Sequence, residues 1–96
     1  MNSKQRAYLR SLAMNLEPIF QIGKSSVTPE MTKAIDEALA ARELIKLSVL
    51  KNCDDDPREL GELIAGRTRS ALVQVIGKKI ILYREGIKEK KKIQLP

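Results

Sequence analysis

The sequence predicts an α/β protein of the α+β kind, with a mixed four-stranded sheet covered by helices and the element order α-β-α-β-α-β-β. Two patterns predict this order. Apolar residues recur at helical spacing in three segments, and they form short alternating or β-branched runs in four others. With 43% hydrophobic and 31% charged residues, the 96-residue chain has the composition of one folded domain. We expect that domain to span residues 1–96, with a basic tail at 86–96.

The first helix is predicted by an apolar stripe that follows a possible N-cap at Asn2 or Ser3 and ends near Asn15. The stripe consists of Leu9, Leu12, Ala13 and Leu16. Pro18 then stops the helix, and the apolar run at 19–22 predicts a short strand.

The second helix has the strongest signal in the chain. Thr28 is a favourable N-cap, and Pro29 suits the first helical position, where its missing N–H is not needed. Five apolar residues then fit the helical template: Met31, Ala34, Ile35, Ala38 and Leu39. From Leu44 to Leu50, apolar residues alternate with Lys46 and Ser48, which predicts a strand with one wetter face.

The third helix repeats the same start signal, with Asp56 as N-cap and Pro57 at the first helical position. Its apolar face consists of Leu60, Leu63 and Ile64. Gly61 and Gly66 weaken the helix, so we expect a close packing contact at these glycines.

Two β-branched runs, Ala71 to Ile76 and Ile80 to Arg84, are separated by Gly77-Lys78-Lys79 and predict a hairpin. The two strands of this hairpin must be antiparallel. Strands that are separated in sequence by a helix favour parallel pairing through a crossover connection. Because the hairpin is antiparallel, the sheet is predicted to be mixed.

The residue types present argue against catalysis. The chain has no histidine, the commonest general base, and its single cysteine, Cys53, allows neither an intramolecular disulfide nor a cysteine-rich zinc site. We read Cys53 as a packing residue and the acidic run 54–56 as a solvated loop that ends in a helix cap. We therefore expect no enzyme activity, no cofactor, no metal and no small-molecule substrate.

No long apolar stretch suggests a signal peptide or a membrane span, and a lone cysteine is typical of a reducing compartment. We therefore expect a cytoplasmic protein that does not contact membranes. The net charge of +6 favours a polyanionic partner. The charge is uneven: residues 30–62 hold nine carboxylates against five bases, whereas both ends are basic. Solvated faces with a frayed basic tail remain an alternative.

Two basic clusters are candidate binding sites. The first is the loop from Gly23 to Thr28, which joins a strand to a helix start, where free amides and the helix dipole favour a phosphate group. Its candidate residues are Gly23, Lys24, Ser25, Ser26 and Thr28. The second comprises Lys78, Lys79 and Arg84. A purely structural turn and a lysine-protected strand edge are the respective alternatives. With three aromatic residues, the chain favours contacts to the nucleic-acid backbone over base stacking.

Three stretches together resemble a known family: 16–24 with Val27 and Thr28, 43–46, and 75–78 with 82–84. The chain resembles the CRM domain, the chloroplast RNA splicing and ribosome maturation family, in its stand-alone bacterial YhbY-like form. The resemblance covers nearly the whole chain. It implies a fold similar to the C-terminal domain of translation initiation factor three.

The resemblance also implies a function. It predicts an RNA-binding protein that acts as a ribosome assembly factor on precursors of the large ribosomal subunit, with ribosomal RNA as partner. The family's Gly-x-x-Gly loop, similar to that of KH domains, maps onto Gly23 to Ser26, with Ser26 in place of the second glycine. We expect a monomer. The alternative is a protein-binding adaptor that uses its acidic helical faces.

Overall fold

The computed structural model describes residues 1–87 and 91–96. Within these residues the elements are α1 (Ser3–Ala13), β1 (Phe20–Ile22), α2 (Pro29–Arg42), β2 (Leu44–Val49), α3 (Pro57–Thr68), β3 (Ala71–Ile76) and β4 (Lys79–Tyr83). This order and the α+β fold class confirm the prediction. None of the helices in the described ranges is long and apolar enough to cross a bilayer.

The four strands form one mixed sheet in the order β1-β2-β4-β3. β1 and β2 are parallel, as expected for strands that a helix separates, and Phe20 lies opposite Leu47. β4 runs antiparallel to both β2 and β3, so it occupies an inner position. The C-terminal hairpin is therefore confirmed, and its second strand also completes the pairing of β2.

Helices cover both faces of this sheet. α2 and α3 pack on the face that carries Ile45, Leu47, Ile80 and Leu82, and α1 packs on the face that carries Leu44, Val73, Ile81 and Tyr83. The wetter face predicted for β2 is wrong. Leu44 and Ser48 are buried and Lys46 is half-buried, because α1 lies over this side of the strand.

The predicted helix starts are confirmed by side-chain caps. Thr28 Oγ1 accepts a hydrogen bond from the Met31 amide at 3.1 Å, and Asp56 Oδ2 accepts one from the Glu59 amide at 3.1 Å. At α1 the cap is Asn2, whose side-chain oxygen accepts a hydrogen bond from the Gln5 amide, while the Asn2 amide donates one to the Gln5 side chain. Each helix start thus has its own local determinant.

Several predicted boundaries shift by one or two residues. α1 ends at Ala13 rather than near Asn15. The hairpin turn is tighter than predicted, because Lys79 is already part of β4 and Gly77 adopts the left-handed conformation with φ of 56°. A two-residue turn of this kind requires positive φ, which glycine adopts without steric cost.

The buried carboxylate of Glu43 anchors the chain after β4. It accepts hydrogen bonds from the amides of Lys92 and Ile93, the latter at 3.0 Å, and its side chain is 1% exposed. Ile93 and Leu95 pack against the α1-side core. These described residues of the predicted basic tail are therefore held against the fold, while residues 88–90 lie outside the described ranges.

Tyr83 lies in the same region, on the α1 face. Burial, together with the negative charges of Glu85 and Glu43, raises the pKa of Tyr83, so its hydroxyl is neutral at physiological pH.

We expect opposite effects on stability from Gly61→Ala and Gly66→Ala. A Cβ at Gly61 would lie 2.8 Å from Leu72 Cδ1 and 3.3 Å from Ile80 Cγ2, whereas none of the described atoms would lie within 4 Å of a Cβ at Gly66. The packing contact expected at both glycines is therefore confirmed at Gly61 and wrong at Gly66. Alanine should raise the free energy of unfolding by about 0.5–1 kcal/mol at position 66 and lower it by about 1 kcal/mol at position 61. Urea denaturation measures both, and equal stabilisation by the two variants would contradict the packing contact.

Candidate nucleic-acid interface

The loop from Gly23 to Thr28 forms a tight turn at the end of β1. The Ser26 amide donates a hydrogen bond to the Gly23 carbonyl at 2.9 Å, which leaves Lys24 and Ser25 exposed at the tip. Ser26 adopts the left-handed conformation with φ of 55°. This is the conformation that glycine adopts most easily, and it accounts physically for a glycine at the second position of a Gly-x-x-Gly loop.

The start of α2 lies directly behind this turn. Thr28 caps the helix and Pro29 occupies its first position, so the first-turn amides and the positive end of the helix dipole face the loop. Glu30 lies in the same first turn and partly offsets this positive potential. Binding of a phosphate group at this site would therefore rely on the charge of Lys24 and on the backbone amides of the turn.

The hairpin turn with Lys78 and Lys79 lies at the same end of the sheet as this loop. The Val49 amide donates to the Lys78 carbonyl at 2.7 Å, and the Leu50 amide donates to the Ile22 carbonyl at 2.8 Å. The end of β2 is thus bonded to both segments. β1 and β4 flank β2, so their backbones lie roughly 10 Å apart.

Sequence reasoning missed a fourth lysine at this end. Lys51 is exposed in the turn that follows β2, as Lys24 follows β1. Because parallel strands have their carboxyl ends at the same edge of a sheet, this placement follows from the parallel pairing of β1 with β2. We call Lys24, Lys51, Lys78 and Lys79 the basic edge.

Arg84 is not brought to the basic edge. It follows the opposite end of β4, where Tyr83 pairs with Leu44 at the start of β2. Its guanidinium donates to Asp36 Oδ1 at 2.5 Å, to the Asp36 carbonyl at 2.8 Å and to the Thr68 carbonyl at 2.8 Å. Arg84 thus links α2 to the end of α3.

The loop has an acidic side as well as a basic one. Ser26 lines a shallow cavity with Asp55, Glu59 and Leu63 near the start of α3. A polyanion is repelled from this side and attracted to the tip of the loop and the hairpin turn. The positive charge at this end of the sheet is therefore carried by the turns after β1, β2 and β3, and the negative charge by the start of α3.

Cys53 and the aspartate run behave as the sequence predicts. Cys53 is buried in the core with α2 and α3, and its Sγ lies 3.9 Å from Asp55 Oδ2. Asp54, Asp55 and Asp56 are exposed, and Asp56 caps α3. Cys53 packs in the core and Asp56 caps a helix, so both have structural roles.

The chain matches a family model described as CRS1 / YhbY (CRM) domain over residues 1–84. It is 52% identical over 96 residues to "Probable RNA-binding protein YqeI" of Bacillus subtilis, covering 100% of this chain and 99% of that protein. It is 34% identical to a protein of Haemophilus influenzae named "RNA-binding protein", covering 100% and 95% of the two chains.

A solved structure has the same fold. The solution structure of the protein SAV1595 from Staphylococcus aureus superposes with a TM-score of 0.82 at 55% identity, covering 100% of this chain and 99% of that one.

We expect Ser26→Gly to stabilise the protein and Ser25→Gly to destabilise it. A left-handed non-glycine residue costs roughly 1–2 kcal/mol, and only part of this is offset by the greater freedom of glycine in the unfolded chain. Ser26→Gly should raise the free energy of unfolding by about 0.5–1 kcal/mol. Ser25 has no positive φ, so Ser25→Gly is the matched control and should lower it by about 0.5 kcal/mol. Thermal and urea unfolding measure both, and an equal loss of stability in the two variants would contradict the strain at Ser26.

Proposed function

The chain belongs to the CRS1/YhbY (CRM) domain family, and we propose that residues 1–96 form a single RNA-binding domain that contacts the RNA backbone through the basic edge. One observation carries the proposal: four exposed lysines from three separate segments meet at one end of the sheet. The names of the relatives from Bacillus subtilis and Haemophilus influenzae, which describe RNA-binding proteins, support RNA as the polyanion.

In this proposal the residues of the loop have distinct roles. Lys24 contacts a phosphate group, and Ser25 and Ser26 donate hydrogen bonds to its oxygens. Gly23 and Thr28 position the turn and the helix start behind it. Lys51, Lys78 and Lys79 extend the surface along the ends of β2 and the hairpin.

Arg84 stands outside the proposed site. Its guanidinium is already bonded to Asp36 and Thr68, and it lies at the other end of β4. We assign it a positioning role between α2 and α3.

We further propose that the RNA is ribosomal RNA in precursors of the large subunit, bound by a monomer in the cytoplasm without catalysis. Two features support this assignment: the family resemblance, and the lysines of the basic edge, which suit contacts to the phosphates of the RNA backbone. A protein that contacts phosphates and few bases suits a folded RNA, whose recognition depends on shape.

Lys24→Glu and Lys51→Glu should each weaken binding to single-stranded RNA by several-fold. With about four phosphate contacts, the slope of log affinity against log salt should lie near −3, and each variant should make it shallower by about 0.7. Fluorescence anisotropy with a labelled oligonucleotide across a salt series measures both quantities.

Lys4→Glu is the matched control for these variants. Lys4 is exposed in the first turn of α1. Nearby on the same helix, Arg6 donates hydrogen bonds to the carbonyls of Leu72 and Val73, so this turn lies near the end of the sheet that is opposite the basic edge. Its affinity should stay close to that of the unchanged protein. Binding that is insensitive to salt, or unchanged affinity in Lys24→Glu, would overturn the proposed site.

The ribosomal assignment is tested by fractionating cell lysate on a sucrose gradient and probing for the protein. We expect it to migrate with immature large subunits, and the association should be lost in a Lys24→Glu, Lys51→Glu double variant. Migration only as free protein would contradict stable association. A pull-down of partner proteins that survives nuclease treatment would instead favour an adaptor that uses the acidic side with Asp55 and Glu59.

A further inference from the structure

A surface groove of about 250 Å³ lies between the end of α1 and the hairpin. Ala13 and Ile81 form its floor, and Met14 and Ile76 form its sides. We call this feature the hairpin groove. It lies on the α1 face of the sheet, next to the basic edge but outside the loop of Gly23 to Thr28.

Two large apolar side chains at this groove are exposed to solvent. Met14 is 80% exposed and Ile76 is 53% exposed, on either side of the same depression. Single exposed apolar residues are common, but two that flank one groove mark a surface suited to an apolar ligand group.

Three cations surround the apolar centre. Arg10 projects from α1, Lys46 from β2 and Lys79 from β4. Lys79 Nζ donates a hydrogen bond to Ser48 Oγ at 2.9 Å, which holds its charge on this face of the sheet. The ion pairs found in residues 1–87 and 91–96 are Arg84–Asp36 and Lys91–Glu85, so none involves these three cations. The rim therefore has positive charge available for an anionic ligand.

We propose that the hairpin groove holds one unstacked nucleobase of a single-stranded RNA segment, with its flanking phosphates on Arg10, Lys46 and Lys79. The inference rests on the proposed function and deepens it. Lys79 belongs both to the basic edge and to the rim, so an RNA backbone on the edge continues directly to the groove. The groove has about the volume of eight water molecules, which is enough for one ring system.

The chemistry of the groove suits the face of a base. A methionine thioether makes favourable contacts with aromatic rings, and Met14 is adaptable because its side chain is unbranched. Aliphatic contacts of this kind take the place of the aromatic platform that other single-strand binders use. The contact therefore adds affinity for bases without hydrogen-bond readout of sequence.

The test compares a ten-nucleotide oligouridine with an abasic ribose-phosphate oligomer of equal length. The double variant Met14→Gln, Ile76→Thr should bind the oligouridine about tenfold more weakly, with an unchanged salt slope, and should bind the abasic oligomer as the unchanged protein does. The control is Leu63→Gln, Ile87→Thr, which alters two exposed apolar residues that do not line the groove. Its affinities should not change.

Three outcomes would overturn the inference. If the Met14→Gln, Ile76→Thr variant keeps its affinity for oligouridine while Lys24→Glu binds more weakly, the groove does not bind a base, and the proposed function is unaffected. Absence of binding to either oligomer by the unchanged protein would remove the proposed function itself. An acidic peptide of alternating glutamate and leucine that binds the unchanged protein but not the double variant, while the variant keeps its oligouridine affinity, would assign the groove to a protein partner.

Discussion

β4 pairs with both β2 and β3, and this double pairing organises the sheet and both of its cores. β4 is an inner strand whose residues are buried on both faces, with Ile80 and Leu82 toward α2 and α3 and Ile81 and Tyr83 toward α1. One strand thus contributes to both cores. Because its first residue, Lys79, pairs with Ser48 near the end of β2, the hairpin turn must lie beside the ends of β1 and β2.

The two ends of the sheet differ in how their charges are satisfied. At the end where β4 finishes, Arg84 is bonded to Asp36 and Thr68, and Glu43 is bonded to the backbone of residues 92 and 93. Charged groups there connect parts of the fold. At the other end Lys24, Lys51 and Lys78 extend from turns into solvent, and Lys79 at the start of β4 bonds a neutral serine. The charged groups at one end are bonded to other parts of the fold, while exposed cations at the other end remain available to a polyanion.

The basic edge and the hairpin groove divide the proposed recognition into two physical parts. Lysine contacts to phosphates are sensitive to salt and indifferent to sequence, whereas a base in an apolar groove adds affinity with little dependence on salt. This division suits a chain with few aromatic residues. Phe20 is half-buried beside the core and Tyr83 is buried, whereas Tyr8 on α1 is 39% exposed but does not line the hairpin groove.

The elements whose signals are local could be predicted from the order of residues alone. Thr28-Pro29 and Asp56-Pro57 marked two helix starts, the glycine after Ile76 marked the hairpin, and the spacing of apolar residues marked the helices. A cap or a turn depends on a few consecutive residues, so its chemistry is readable from the chain. The lysines of the loop and the hairpin were predicted in the same way, as parts of separate turns.

Which residues come into contact depends on the tertiary structure. It placed α1 over the face of β2 that alternation alone marked as wet, gathered Lys51 with Lys24 at one end, and engaged Arg84 in bonds at the other. It also brought Arg10, Lys46 and Lys79 together around Met14 and Ile76. These neighbours come from different elements, and their proximity depends on strand order and helix packing, which are non-local and leave no periodic trace in the sequence.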